Sequence, residues 1–96
     1  MAELDRSDVV LRFCVEHDIP LKPKAVYGGI IYHQDVTFTY KQVRDSITDL
    51  KERGLLRRVK VDDEAGQVRD VPSEAGNVRC YYLPTDTGRE RVAEIF

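Results

Sequence analysis

Apolar positions in the first third of the chain recur at helical spacing. Val10, Phe13, Cys14 and His17 follow i, i+3, i+4, i+7 and predict one buried face of a helix from about Ser7 to His17. Asp5 and Ser7 both suit its N-cap, and Asp18-Ile19-Pro20 ends it, because the residue before a proline avoids the α region. A second helix is expected from about Lys22, with Pro23 at the first position, where a missing N–H costs nothing. Val26 with Ile30, and Tyr27 with Ile31, are apolar pairs four apart. Gly28-Gly29 costs this helix roughly 2 kcal/mol of propensity against alanine. The pair therefore predicts close approach of another backbone, or a helix that relies on tertiary packing. Asp35-Val36-Thr37-Phe38 reads as a short extended piece.

The third helix has the sharpest boundaries. Thr39-Tyr40-Lys41-Gln42 fits a capping box, and Phe38 with Val43 fits a hydrophobic staple across it. Val43, Ile47 and Leu50 form the apolar stripe, and Gly54 is the expected stop after Arg53. Lys41, Asp45, Thr48 and Glu52 then lie opposite the stripe, with Arg44 on its flank. Beyond Gly54 the period falls to two. Leu56 to Val61 and Val78 to Leu83 read as strands. Between them Glu64-Ala65-Gly66-Gln67-Val68-Arg69 nearly repeats as Glu74-Ala75-Gly76-Asn77-Val78-Arg79. Two turns with an extra strand at Gln67 to Val71 fit this segment, and so does a loose hairpin tip. Thr85 caps a last helix, Asp86 suits its positive end, and Val92, Ala93 and Phe96 share a face.

Helix, helix, short strand, helix, strand, turn region, strand, helix is the order of a winged helix-turn-helix, an α+β fold. Its third helix enters the major groove, and its hairpin wing lies along the neighbouring backbone. The 96 residues suit one such domain and leave no room for a catalytic one. No residue set resembles a nucleophile with its base or a phosphate-cradling loop, so no enzyme activity and no cofactor are expected. Nothing approaches the roughly 20 apolar residues of a membrane span, and the acidic Met1-Ala2-Glu3-Leu4-Asp5 start lacks a secretory apolar segment. A cytoplasmic protein with no membrane partner is expected. Cys14 and Cys80 read as reduced core residues. Cys14 and His17 would form a metal site only with His33 and Cys80, and residues so spaced more often pack, so no metal is expected.

Charge changes this picture. The net charge is −2, arginine outnumbers lysine two to one and aspartate outnumbers glutamate. This bias is typical of salt-loving archaea. At about 1 M salt the Debye length is about 3 Å. Binding to a polyanion would then rest on a few close contacts, without a general positive field.

The chain resembles the small winged-helix regulators of haloarchaea and their viruses, the family of the halophage phiH repressor, and more loosely the MarR- and PadR-like proteins. The resemblance rests on four stretches: Leu21 to Tyr27, Val36 to Val43, Leu50 to Leu56, and Tyr81 to Arg89. It implies sequence-specific binding of double-stranded DNA by a small transcriptional regulator, in the first instance a repressor. Lys41 and Arg44 are placed to read base edges or phosphates. Thr39 and Tyr40 can donate to phosphate at the helix start. Thr48 shares the exposed side, while Lys22 and Lys24 open the helix that crosses the backbone. The segment Asp62 to Asn77 holds five acids against one arginine, so its tip is expected either to be held off the DNA or to contact it only through Arg69, with the acids turned to solvent. Paired half-sites imply a homodimer, with Val92, Ile95 and Phe96 as its surface. A second reading is a winged-helix module that binds protein through its acidic wing or third helix. Shared placement of Lys24, Lys41, Arg44 and a wing arginine favours the first reading. Shared placement of Asp45, Asp49 and the wing acids favours the second.

Overall fold

The structure is a computed structural model that describes residues 5–33, 37–62, 64–71 and 80–96. Its elements run α1 (Arg6–His17), α2 (Pro23–His33), α3 (Tyr40–Glu52), β1 (Leu56–Asp62), β2 (Gln67–Asp70), β3 (Tyr81–Pro84) and α4 (Asp86–Ile95). Three helices, a three-stranded antiparallel sheet and a closing helix make an α+β arrangement. Among the described residues no helix is long and apolar enough to cross a membrane.

Local chemistry sets the helix ends. The Asp5 carboxylate accepts the Asp8 amide at 2.9 Å and caps α1, while Ser7 turns its hydroxyl to Asp49 at 3.1 Å. In α3 the capping box is complete: Thr39 Oγ1 accepts the Gln42 amide at 3.1 Å, and Gln42 Oε1 accepts the Thr39 amide at 3.0 Å. The end of α3 is a Schellman turn. Gly54, at φ 76°, donates to the Lys51 carbonyl, and Leu55 donates to that of Leu50. Arg53 is thus the C-cap and lies outside the helix.

The core joins Val10, Leu11, Phe13 and Cys14 of α1 to Val26 and Ile30 of α2, to Val43, Ile47 and Leu50 of α3, and to Leu55 and Leu56. Two expectations for α1 change here. His17 is exposed, and Leu11 is fully buried. Because α1 packs against α2, α3, α4 and β3, its buried arc is wider than one stripe and reaches Cys14 and Val15, while the final residue, His17, lies beyond the core. Burial pushes the Cys14 thiol up to about 12, so at neutral pH it is a protonated packing group. Cys80 lies elsewhere, and no disulfide joins the two. Gly29, in α2, faces the Phe13 ring, which an added Cβ would strike, whereas Gly28 has open space. The close approach expected of the glycine pair is therefore to a side chain, and it concerns one glycine only.

The sheet order is β2-β1-β3. Leu56 to Val59 pair with Pro84 to Tyr81, and Val59 to Asp62 pair with Asp70 to Gln67 on the opposite edge. The extra strand at Gln67 exists, reached by a turn in which Gly66 takes φ 63°. The last strand begins later than expected, at Tyr81. Val78, Arg79 and the second Glu-Ala-Gly copy lie outside the described residues, as do Asp35 and Val36. Thr37 and Phe38 are in no strand. The extended pairing comes instead from Leu21, which exchanges backbone hydrogen bonds with Tyr82 at 3.1 and 2.8 Å and extends the β3 edge.

A charge couples the two ends of the chain. Asp8 is only 6% exposed, and Arg91 of α4 donates to its carboxylate at 3.0 Å. Arg91→Ala leaves that carboxylate buried and unpaired. Fully buried pairs lose about 3–5 kcal/mol when broken. Because Arg91 is partly exposed, a loss of about 2 kcal/mol is expected, read as a lower urea midpoint at unchanged slope.

Candidate nucleic-acid interface

The starts of α2 and α3 meet at one surface. Lys22 and Lys24 are exposed at the head of α2, and with Pro23, Tyr40 and Cys80 they line a cleft of about 230 Å³. Two aromatic rings carry cations here. The Arg44 guanidinium lies 5.8 Å from the centre of the Tyr40 ring, and the Lys22 ammonium 5.3 Å from that of Tyr81. Tyr27 of α2 holds Tyr40 edge-on, with ring centres 5.6 Å apart. Behind the cleft, Arg58 donates to the Cys80 sulfur at 3.1 Å. The Arg58 Nε is buried and has no hydrogen-bond partner among the described residues.

Lys22, Lys24, Tyr40 and Arg44 are therefore brought together. Thr39 borders them, its hydroxyl oxygen engaged as the α3 cap. Lys41, Arg44, Asp45 and Thr48 follow i, i+3, i+4, i+7 on the exposed side of α3. Among the described residues, no ion pair or hydrogen bond holds the side chains of Lys41, Arg44 or Asp45. Asp49 does not join this row. Its carboxylate accepts from Ser7 of α1 and, at 3.2 Å, from Arg53. Of Asp45 and Asp49, the first faces outward and the second faces α1.

Arg69 stands apart on β2, opposite Lys60 in the register. Its guanidinium is 3.6 Å from Asp62. Asp62 also accepts the amides of Glu64 and Ala65, each at 3.1 Å, so it shapes the hairpin turn. Asp70 pairs across the sheet with Arg57 at 3.5 Å. Two of the segment's five acids are thus engaged within the hairpin, while Asp63 and Glu74 lie outside the described residues. Lys60 is exposed and has no such partner among the described residues.

The apolar residues of α4 separate. Val92 packs on the core, Ile95 is half-buried, Ala93 is exposed, and Phe96 lies under the Arg12 guanidinium at 4.4 Å. The expected shared face of Val92, Ala93 and Phe96 is therefore split. Among the described residues no group of three or more histidines, cysteines or acids could hold a metal ion. The sequence marked no role at this surface for Tyr27, Tyr81 or Arg58. Each comes from a different element, α2, β3 and β1, and no local spacing encodes their contacts. No protein-family model, curated protein or solved structure matches this chain.

Proposed function

We propose that this chain is a winged helix-turn-helix domain that binds double-stranded DNA sequence-specifically as a small transcriptional regulator, in the simplest case a repressor. In this reading α2 and α3 are the helix-turn-helix pair, α3 lies in the major groove, and the β1–β2 hairpin belongs to the wing. The observation that carries it is the convergence of Lys22, Lys24, Tyr40 and Arg44 at the joint start of α2 and α3, with Asp49 turned away. Lysines at the head of α2 suit phosphates, and Lys41 and Arg44 suit guanine O6 and N7. With a net charge of −2 the general field is unhelpful, so affinity depends on these close contacts. Fluorescence anisotropy with duplex from the region upstream of the protein's own coding sequence, against a scrambled duplex, tests the reading. A preference for the first duplex that persists from low to high KCl supports it, and equal weak binding to both at every salt concentration refutes it.

The protein-binding alternative draws on Asp45, which shares the exposed side of α3 with Lys41 and Arg44, and on Val61 and Val68, paired on the hairpin and both partly exposed. Asp62→Asn separates the two readings. Asparagine keeps an oxygen for the Glu64 and Ala65 amides but releases Arg69. On DNA the freed guanidinium should raise affinity several-fold at low salt and change little at molar salt, where Coulomb terms are screened. Weaker DNA binding by this variant would mean that the acid makes a favourable contact, and would favour the protein-binding module.

A further inference from the structure

Lys41 and Arg44 share the exposed side of α3, but their surroundings differ. Arg44 stands one turn after Tyr40, and helical side chains tilt toward the N-terminus. Its guanidinium therefore reaches back over the Tyr40 ring, at 5.8 Å from the centre. Among the described residues no ring carries Lys41. Tyr40 is itself held twice. It is the first residue of α3, where the reciprocal Thr39–Gln42 hydrogen bonds fix the backbone. Its ring meets that of Tyr27 edge-to-face, with the planes 73° apart. Tyr27 is half-buried and packs against the core beside Val26. A line of contacts thus runs from the core through two rings to one guanidinium.

We propose that Tyr27 and Tyr40 are positioning residues that hold Arg44 ready to read a guanine, while Lys41, without such support, meets phosphate. The inference rests on the DNA reading and assigns one base contact to one residue. An arginine fork matches guanine O6 and N7 with two hydrogen bonds, so it discriminates only when it is aligned. A free arginine loses rotamer freedom on binding, and one already seated on a ring loses less. The lysine ammonium is a point charge and needs no such alignment. Among the described residues no acid pairs with Arg44, so its N–H groups stay available while the ring holds its place.

Two readouts decide the matter. In the free chain, ring-current shifts of the Arg44 side-chain protons report its seat over Tyr40. Tyr40→Leu should move these resonances to the values of an unstructured arginine, and Tyr40→Phe should keep them. Tyr27→Leu should move them partway, with the Val43 and Ile47 methyl resonances unchanged. On DNA, each guanine of the preferred duplex is replaced in turn. One position should be read by the original chain and no longer by Arg44→Ala. Tyr40→Leu should cut discrimination at that position about fivefold and leave the salt slope unchanged, while Tyr40→Phe retains it. Lys41→Ala should weaken binding alike on every duplex and lower the magnitude of the slope by about 0.9. Arg44 resonances indifferent to Tyr40→Leu, undiminished discrimination in that variant, or a Lys41→Ala loss confined to one base pair would each overturn the proposal. The first readout contains no DNA. If it fails while the duplex preference persists, this proposal alone falls. If it succeeds and no duplex is preferred, the DNA reading falls and takes the guanine contact with it.

Discussion

Alanine at both Lys41 and Arg44 is expected to weaken binding to a specific duplex by about a hundredfold or more. Each good base contact contributes about 1–3 kcal/mol of discrimination. Removing two of them at once costs about 3 kcal/mol, or two orders of magnitude in dissociation constant. Both side chains are exposed on α3, and the one interaction Arg44 gives up is its place over the Tyr40 ring. An exposed cation–π contact contributes about 0.5–1 kcal/mol, so the melting temperature should hardly move. The slope of log affinity against log salt separates two roles. If both residues meet phosphates, its magnitude should fall by about 1.8 and affinity should drop alike on every sequence. If they read bases, discrimination between cognate and scrambled duplex should fall most. Undiminished affinity in the double variant would remove α3 from the interface.

The second large effect concerns stability. Gly88→Ala is expected to destabilise the chain by about 3 kcal/mol. Gly88 is the buried residue of α4, and a Cβ there would meet the Leu55 carbonyl. That carbonyl cannot easily move. It accepts the Thr85 amide at 3.1 Å, while Thr85 itself caps α4 through the Gly88 amide at 3.0 Å and donates its hydroxyl hydrogen to the Gly54 carbonyl at 2.7 Å. Leu55 is also part of the Schellman turn that ends α3. An added methyl group must therefore displace α4 as a unit, and with it the Arg91–Asp8 pair. Gly28→Ala is the control. Gly28 has open space around its Cβ position inside α2, so alanine there should stabilise by about 0.5–1 kcal/mol. Urea denaturation of both variants decides the matter. A Gly88 variant within about 0.5 kcal/mol of the original would show that α4 slides freely on the α3–β1 turn.

Short-range signals were enough for most of the backbone. The Thr39–Gln42 box, the Thr85 cap, the Gly54 stop and the Val43-Ile47-Leu50 stripe all stand where spacing predicts them. Each depends on groups within one or two turns, whose geometry does not wait for the rest of the fold. The extra strand at Gln67 was marked only by Gly66 at its turn, which fits a loose hairpin tip equally well, and pairing with β1 is what makes it a strand. Contacts between distant elements carried no such mark. The sheet takes its further bridge from Leu21 rather than from the stretch before Thr39, because Leu21 is the residue delivered to the open edge of β3. Leu11 is buried and His17 exposed because α1 is enclosed along its middle and not at its end. Gly28 and Gly29 are neighbours in sequence, yet only Gly29 meets the Phe13 ring, since successive helical residues point about 100° apart. The same distinction runs through the candidate interface. Lys41 and Arg44 follow from the exposed side of an amphipathic helix. The gathering of Lys22, Tyr40 and Tyr81, the turning of Asp49 toward Ser7, and the tie between Asp62 and Arg69 required the chain to fold, because an ion pair or ring contact needs its partner within a few ångströms, and only packing supplies that distance.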